Sequence, residues 1–102
     1  MFLSSIENIG DDEQAAKWVP LIKSLKMSGC YAQTELGHGS FVPGIETTAT
    51  FDKKTQEFVI NTPTVSATKF WPGDLGKLSN YALVFAKLII DGQAYGVHSF
   101  LV

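Results

Sequence analysis

The spacing of apolar residues near the start of the chain is that of one helical face. They recur at intervals of three and four positions, at Ala15, Trp18, Val19, Ile22 and Leu25. Asp11 and Asp12 precede this pattern and are candidates for the N-cap of the helix. Pro20 lacks a backbone N–H and should interrupt it. The pattern therefore predicts two short helices, at about 12–19 and 20–27.

After Gly29 the period of the pattern changes from helical to alternating. Residues 46–51 are rich in threonine and favour a strand, and residues 57–61 resume a strand after the polar segment 52–56. These features predict a β-hairpin that turns at 52–56.

A second hairpin is predicted near the end of the chain. Residues 80–90 form a long apolar run whose Ala and Leu content also permits a helix. The following Asp91-Gly92 is a strong hairpin signal, however, and residues 94–102 supply the partner strand. The predicted fold is α+β, with short N-terminal helices followed by an incomplete antiparallel β-barrel or sandwich.

Composition narrows the classes of function. The chain has 102 residues, of which 45% are hydrophobic and 18% charged, so it can form one small packed domain. A net charge of −2 argues against a nucleic-acid surface, and no apolar run reaches the roughly 20 residues of a membrane helix. The single cysteine and two distant histidines form no metal-ligand pattern. The start of the chain is a poor signal peptide.

The clearest candidate for a site is the segment 29–40, which begins as a strand and ends as a glycine-rich polar loop. Thr34 and Glu35 place a hydroxyl and a carboxylate where the strand should end, although they could also be ordinary strand-end residues. The glycines of this loop do not have the spacing of a dinucleotide-binding motif. His38 is equally compatible with an exposed loop imidazole and a ligand contact, whereas His98, within a strand, is expected to be structural.

A second candidate is the aromatic pair Phe70-Trp71 followed by Pro72-Gly73. From the residues alone, this string is compatible with a piece of core followed by a turn. It is also compatible with an aromatic wall beside a ligand.

Three segments of the chain resemble the middle region of acyl-CoA oxidases, which belong to the acyl-CoA dehydrogenase superfamily. They are GCYAQTELGHGS, GIETTATFDKKTQEFVINTPT and KFWPGDLGK, and the resemblance runs from about Gln14 to Val102. The threonine–glycine loop suggests the superfamily, while the KTQEFVINTPT and WPGDLGK segments are typical of the oxidases. The sequence departs from the family at Phe41-Val42-Pro43, at Phe70 and at Asp74.

This resemblance implies that residues 1–28 end an N-terminal helical domain and that residues 29–102 begin a middle β-domain, truncated at its C-terminal side. It implies FAD as cofactor, fatty acyl-CoA and molecular oxygen as substrates, a homodimer and a peroxisomal location. The reaction would be desaturation of the acyl-CoA to the trans-2-enoyl-CoA in fatty acid β-oxidation, with formation of hydrogen peroxide. The catalytic base would lie outside the chain, which therefore contains no catalytic residue.

The resemblance also implies the roles of individual residues. The expected cofactor-binding residues are Thr34, Gly73, Trp71, Gln33 and Glu35, and the expected substrate-binding residues are Ser40 and Gly39. We expect Thr34 and residues 71–73 to meet at one rim of the domain, and Asp74 to point to solvent. Because the chain stops inside a strand-like segment, we expect it to be an inactive piece of a longer enzyme.

Two alternatives remain at this point. One is a dehydrogenase of the same superfamily that passes its electrons to a protein acceptor. The other is a β-domain that only binds, such as one subunit of a split enzyme.

Overall fold

The computed structural model describes residues 1–73 and 77–102 and contains two helices, a five-stranded sheet and one short 3₁₀ turn. The helices are α1 (Phe2–Ile9) and α2 (Asp12–Lys23), and the 3₁₀ turn is Val42–Gly44. The strands are β1 (Gly29–Ala32), β2 (Thr48–Asp52), β3 (Glu57–Asn61), β4 (Tyr81–Ile90) and β5 (Gln93–Leu101). The predicted order of helices followed by strands is confirmed.

The helix α2 is continuous, so the predicted break at Pro20 is wrong. Asp11 caps it through a capping box, in which its carboxylate accepts the Gln14 backbone N–H and the Gln14 side chain accepts the Asp11 N–H. Pro20 lies inside the helix and removes only its own N–H from the hydrogen-bond ladder. The helix ends before Leu25, which has a positive φ of 59° and is 89% exposed. The predicted second helix therefore does not form, and Leu25 does not belong to the buried face.

The helix α1 was missed by the sequence analysis, and it supplies the partner that α2 needs. Phe2 and Ile6, one turn apart, are buried on the core, with Met27 and Leu83. The partly buried side chains packed around them are Trp18, Val19, Ile22, Tyr31, Phe85 and Leu101. Gly29 permits this contact, because a Cβ there would lie 2.2 Å from the Phe2 ring.

The sheet is organised around β4. Both predicted hairpins are confirmed, since β2 pairs with β3 and β4 pairs with β5 in antiparallel fashion. The pairings of β4 with β1 and with β2 are parallel, so the sheet is mixed rather than purely antiparallel. Because β5 follows one edge of β4, β1 and β2 must share the other edge. They pair with Tyr81–Val84 and with Lys87–Ile89, respectively, and leave an opening at Phe85.

Among the described residues, no helix is long and apolar enough to cross a membrane.

Candidate functional site

A cleft of about 340 Å³ lies where the end of β1 meets the segment before residue 74. Its lining residues come from the N-terminus, from β1 and the two residues after it, and from the Phe70–Gly73 segment. They are Met1, Phe2, Gly29, Cys30, Tyr31, Gln33, Thr34, Phe70, Trp71 and Gly73. The cleft thus contains four of the five residues expected to bind a cofactor.

Residues 29–34 form the first wall of this cleft and Phe70–Gly73 the second. Backbone hydrogen bonds join the two segments. The Phe70 N–H donates to the Thr34 carbonyl at 2.9 Å, and the Leu36 N–H donates to the Thr68 carbonyl at 2.8 Å. The expected proximity of Thr34 to residues 71–73 is therefore confirmed. Within the first wall, the Tyr31 hydroxyl donates to the Gln33 side chain at 2.7 Å, which fixes the amide beside the cleft.

The second wall is unusually open for its composition. Trp71 is 78% exposed and has a positive φ of 50°, a backbone conformation that costs energy for a bulky residue. Phe70 beside it is 56% exposed. Among residues 1–73 and 77–102, no heavy atom beyond the chain neighbours of Gly73 lies within 4 Å of the place where its Cβ would be, so these residues leave its backbone open to a ligand. Asp74 lies outside the described residues.

Glu35 follows Thr34 directly, but it is not among the residues lining the cleft. It is 2% exposed, and its carboxylate accepts the backbone N–H groups of Glu46 at 2.8 Å and of Thr47 at 2.9 Å. The Lys69 ammonium completes its environment at 3.1 Å. The structure thus directs this carboxylate into the protein interior rather than into the cleft.

The sequence analysis missed Lys69. It donates to the backbone carbonyls of Phe85 at 2.7 Å and Gln33 at 3.0 Å, as well as to Glu35. It is the only charged residue between positions 61 and 73, which is the signal that could have identified it. A lone lysine in an otherwise uncharged segment is a candidate for a buried ion pair.

Both members of this pair have lowered pKa values. Burial raises the pKa of Glu35, but the hydrogen bonds from Glu46, Thr47 and Lys69 outweigh it and bring the pKa below the ordinary 4.5. Burial lowers the pKa of Lys69 below the ordinary 10.5, and the charge and hydrogen bond of Glu35 offset only part of that effect.

Glu35, His38 and Glu46 lie close enough to suggest a metal site, with one potential ligand atom from each within 4.8 Å of the others. The carboxylates are already engaged, however. Lys69 is the cation beside Glu35, and Glu46 accepts the Ser66 hydroxyl at 2.6 Å. His38 is not an exposed loop imidazole, because its side chain is 25% exposed and its Nε2 lies 3.8 Å from the Glu35 carboxylate. His98, by contrast, is exposed on β5.

The expected substrate-binding residues do not line the cleft but lie beside it, since a Cβ at Gly39 would be 3.8 Å from Thr34 Cγ2. Gly39 and Ser40 are exposed in the loop after β1 and are not among the residues lining the cleft. The loop is anchored by Gly37, whose N–H donates to the Ser66 carbonyl at 2.9 Å. A Cβ at Gly37 would lie 3.0 Å from the Ser66 side chain, so the two segments approach closely.

No protein-family model matches the chain. Among the relatives is the peroxisomal acyl-coenzyme A oxidase 1 of Arabidopsis thaliana, which is 58% identical over all 102 residues. The chain spans 15% of that protein's length. The match begins at the first residue and so extends beyond the segment on which the resemblance was recognised.

Solved structures give the same result. The structure of Arabidopsis thaliana acyl-CoA oxidase 1 matches the whole chain with a TM-score of 0.96 and 57% identity, and the chain covers 16% of it. The structure of acyl-CoA oxidase-2 of Caenorhabditis elegans, bound with FAD, ascaroside-CoA and ATP, matches with a TM-score of 0.94 and 51% identity. The chain covers all of its own length and 15% of that protein. The resemblance to the acyl-CoA oxidase family is therefore confirmed: this chain corresponds to a segment of that family's proteins.

Proposed function

Taking the chain as a segment of the acyl-CoA oxidase family, we propose that it forms part of the FAD site of an acyl-CoA oxidase. The protein would act on fatty acyl-CoA in peroxisomal β-oxidation. The observation that carries this proposal is the cleft in which Thr34 faces Trp71 and Gly73. A flavin held between Thr34 and the Trp71–Gly73 segment would supply hydride acceptance from the acyl-CoA and reduction of molecular oxygen to hydrogen peroxide.

The residues of the cleft fit a flavin ring. The Thr34 hydroxyl can donate to a ring carbonyl or accept from a ring N–H, since a hydroxyl does both. The exposed indole of Trp71 offers a flat apolar surface on which an aromatic ring can stack. The open backbone at Gly73 permits an approach that a side chain would block.

The work of this segment would be binding and orientation rather than proton transfer. Glu35 cannot serve as the base that removes the acyl α-proton, because its carboxylate is buried and bonded to two backbone N–H groups and an ammonium. We infer that the base lies outside these 102 residues. We further infer that residues 1–28 end a helical domain, and that residues 29–102 begin the β-domain.

We assign Gly39 and Ser40 a role in holding the acyl-CoA. They are exposed on the loop that follows the Thr34 wall, and the Ser40 hydroxyl is available to a polar group of the substrate.

A homodimer is the second part of this proposal. Apolar residues remain exposed on the edge strand β3, where Phe58 is 45% and Val59 54% exposed. Exposed apolar surface of this kind is typical of protein interfaces.

Rapid mixing of the dithionite-reduced holoprotein, as expressed from its own gene, with oxygenated buffer tests the oxidase function. We expect rapid return of the flavin absorbance, with one hydrogen peroxide formed per flavin. A dehydrogenase that uses a protein acceptor would stay reduced far longer in oxygen and react rapidly with an electron-carrier protein. Failure of the purified protein to bind FAD would leave only the non-catalytic binding domain.

A further inference from the structure

The opening in the sheet at Phe85 is closed by a side chain rather than by a strand. β1 and β2 share one edge of β4 but leave Phe85 between them. The Lys69 ammonium donates to the Phe85 carbonyl at 2.7 Å, and so satisfies a group that would otherwise lack a partner on that edge.

The same ammonium connects this opening to the cleft. It donates to the Gln33 carbonyl at 3.0 Å and to the Glu35 carboxylate at 3.1 Å. Thr34 lies between these two residues, and its own carbonyl accepts the N–H of Phe70, the neighbour of Lys69. Gln33 and Thr34 of the first wall, and Glu35 directly after them, are therefore tied to Lys69 and Phe70.

The Glu35 carboxylate extends the connection to β2. It accepts the N–H groups of Glu46 and Thr47, immediately before the strand begins. The Thr47 carbonyl in turn accepts the Lys87 N–H of β4 at 2.8 Å. One buried ion pair therefore links β1, β2, β4 and the Phe70–Gly73 segment.

We propose that Lys69 and Glu35 are positioning residues that set the separation and orientation of the two walls of the cleft, and thereby the affinity for flavin. The connection to flavin rests on the proposed function, whereas the positioning of the walls does not. Neither side chain lines the cleft, so both would act through Thr34 and the Phe70–Gly73 segment.

An ion pair that only stabilised the fold would have a different effect on amide hydrogen exchange. Buried ion pairs often contribute little to overall stability relative to apolar residues, so stability alone is a poor measure of their role. The amides of Phe70 and Leu36 donate hydrogen bonds that join the two walls. The amides of Ala82 and Val102 each donate to the other residue's carbonyl, at the end of the β4–β5 pairing. Amide hydrogen exchange at these two pairs separates local positioning from global unfolding.

The test compares Lys69→Met with Lys53→Met in the protein as expressed from its own gene. Lys53 is a matched control, because it forms a 2.7 Å ion pair with Asp91 in which both side chains are more than 60% exposed. In Lys69→Met we expect the Phe70 and Leu36 amides to exchange about tenfold faster or more, since buried polar groups lose their partner. Urea unfolding measures the loss of global stability, and the Ala82 and Val102 amides should accelerate no more than that loss accounts for. FAD should bind about tenfold more weakly. Lys53→Met should change neither the exchange rates nor the affinity for FAD.

Equal acceleration at all four amides would make the pair merely structural, and unchanged rates at Phe70 and Leu36 would overturn the proposal. A variant whose Phe70 and Leu36 amides exchange faster but whose affinity for FAD is normal would also overturn the proposal. If Lys69→Met does not fold, Glu35→Gln takes its place, because the amide keeps an acceptor oxygen and the shape while removing the charge. If the unmodified protein does not bind FAD, the proposed function fails, and the amide exchange rates still decide whether the pair positions the walls.

Discussion

Thr34 combines a half-buried position at the cleft with a side chain that can both donate and accept a hydrogen bond. Replacing it with valine keeps the branched shape and removes only the hydroxyl. A single hydrogen bond contributes about 0.5–1.5 kcal/mol, so Thr34→Val should weaken FAD binding by about 2- to 10-fold with little change in thermal stability. A fluorescence titration with FAD measures the affinity. Thr34→Ser, which keeps the hydroxyl, is the control and should bind FAD nearly as well as the original protein.

The buried carboxylate of Glu35 gives the molecule a defined response to acid. Its pKa is lowered below 4.5 in the folded state, so the folded protein holds its proton less tightly than the unfolded chain. The resulting stabilisation is complete above 4.5 and is lost as the pH falls through the folded-state pKa. At pH 7, Glu35→Gln should cost about 3 kcal/mol, because it leaves the Lys69 charge without its partner.

Urea unfolding at a series of pH values measures this difference. The gap in unfolding free energy between the original protein and Glu35→Gln should narrow steadily below pH 4.5. A gap that stays constant down to acid unfolding would show that the ion pair does not contribute in this way. Glu57→Gln, on the exposed edge strand, is a matched control and should show no such gap.

The resemblance to acyl-CoA oxidases, rather than residue chemistry alone, predicted part of this site. The hydroxyl of Thr34 and the aromatic wall at Trp71 were identified before the structure, and the two do meet. Lys69 was not, because its isolation in an uncharged segment hints at a buried charge but does not indicate a partner 34 positions away. The resemblance places Glu35 among the cofactor-binding residues, and in the structure its carboxylate points to the backbone amides that precede β2.

Among the secondary-structure elements, helix α2 is continuous although it contains Pro20. The prediction placed a boundary at Pro20, but the capping box at Asp11 and the apolar contacts with α1 maintain one helix. Because Pro20 has no N–H, the helix loses one hydrogen bond, whereas packing of its apolar face supplies most of its stability. The helix α1 was missed because its eight residues present only Phe2 and Ile6 to the core.

The capping box gives a direct prediction at this scale. Asp11→Ala should destabilise the protein by about 1 kcal/mol, since it removes the acceptor of the Gln14 N–H. Asp12→Ala is a matched control in the first turn that loses only its favourable interaction with the helix dipole, and it should cost a few tenths of a kcal/mol. Thermal unfolding followed by circular dichroism measures both. Equal effects of the two substitutions would argue against the cap.

The positions of the strands and their hairpin pairings were easier to predict than the parallel pairings of β4. Turn residues between adjacent strands specify antiparallel hairpins, so β2–β3 and β4–β5 followed from 52–56 and Asp91-Gly92. The parallel pairings of β4 with β1 and β2 join segments separated by long connections. No local pattern encodes such pairings, because they depend on which strand edges remain open after the hairpins have formed.

At the scale of the whole molecule, the exposed apolar surface is the dominant feature. Trp71, Phe70 and the edge strand β3 leave large side chains in water, and the radius of gyration of 13.9 Å slightly exceeds the roughly 13 Å of a compact 100-residue domain. The chain also spans only 15% of its relatives' length, so further protein is available in those relatives to cover the surface at Phe70 and Trp71.

We therefore predict that residues 1–102 expressed alone bind FAD weakly and do not oxidise acyl-CoA. A ligand site normally buries most of its ligand, whereas the described lining of this cleft consists of the N-terminus, β1 with the two residues after it, and the short Phe70–Gly73 segment. Flavin fluorescence and peroxide release on addition of FAD and acyl-CoA are the measurements. Tight stoichiometric binding with turnover would show that these residues are sufficient.

A crystal structure of the protein expressed from its own gene, with FAD bound, would show directly whether these residues hold the flavin. The account predicts that the flavin ring occupies the cleft between Thr34 and the Trp71–Gly73 segment, with the Thr34 hydroxyl hydrogen-bonded to the ring. It also predicts that the Lys69–Glu35 ion pair remains intact beneath it. A flavin bound elsewhere on the protein, with no contact to Thr34 or to residues 71–73, would contradict the account.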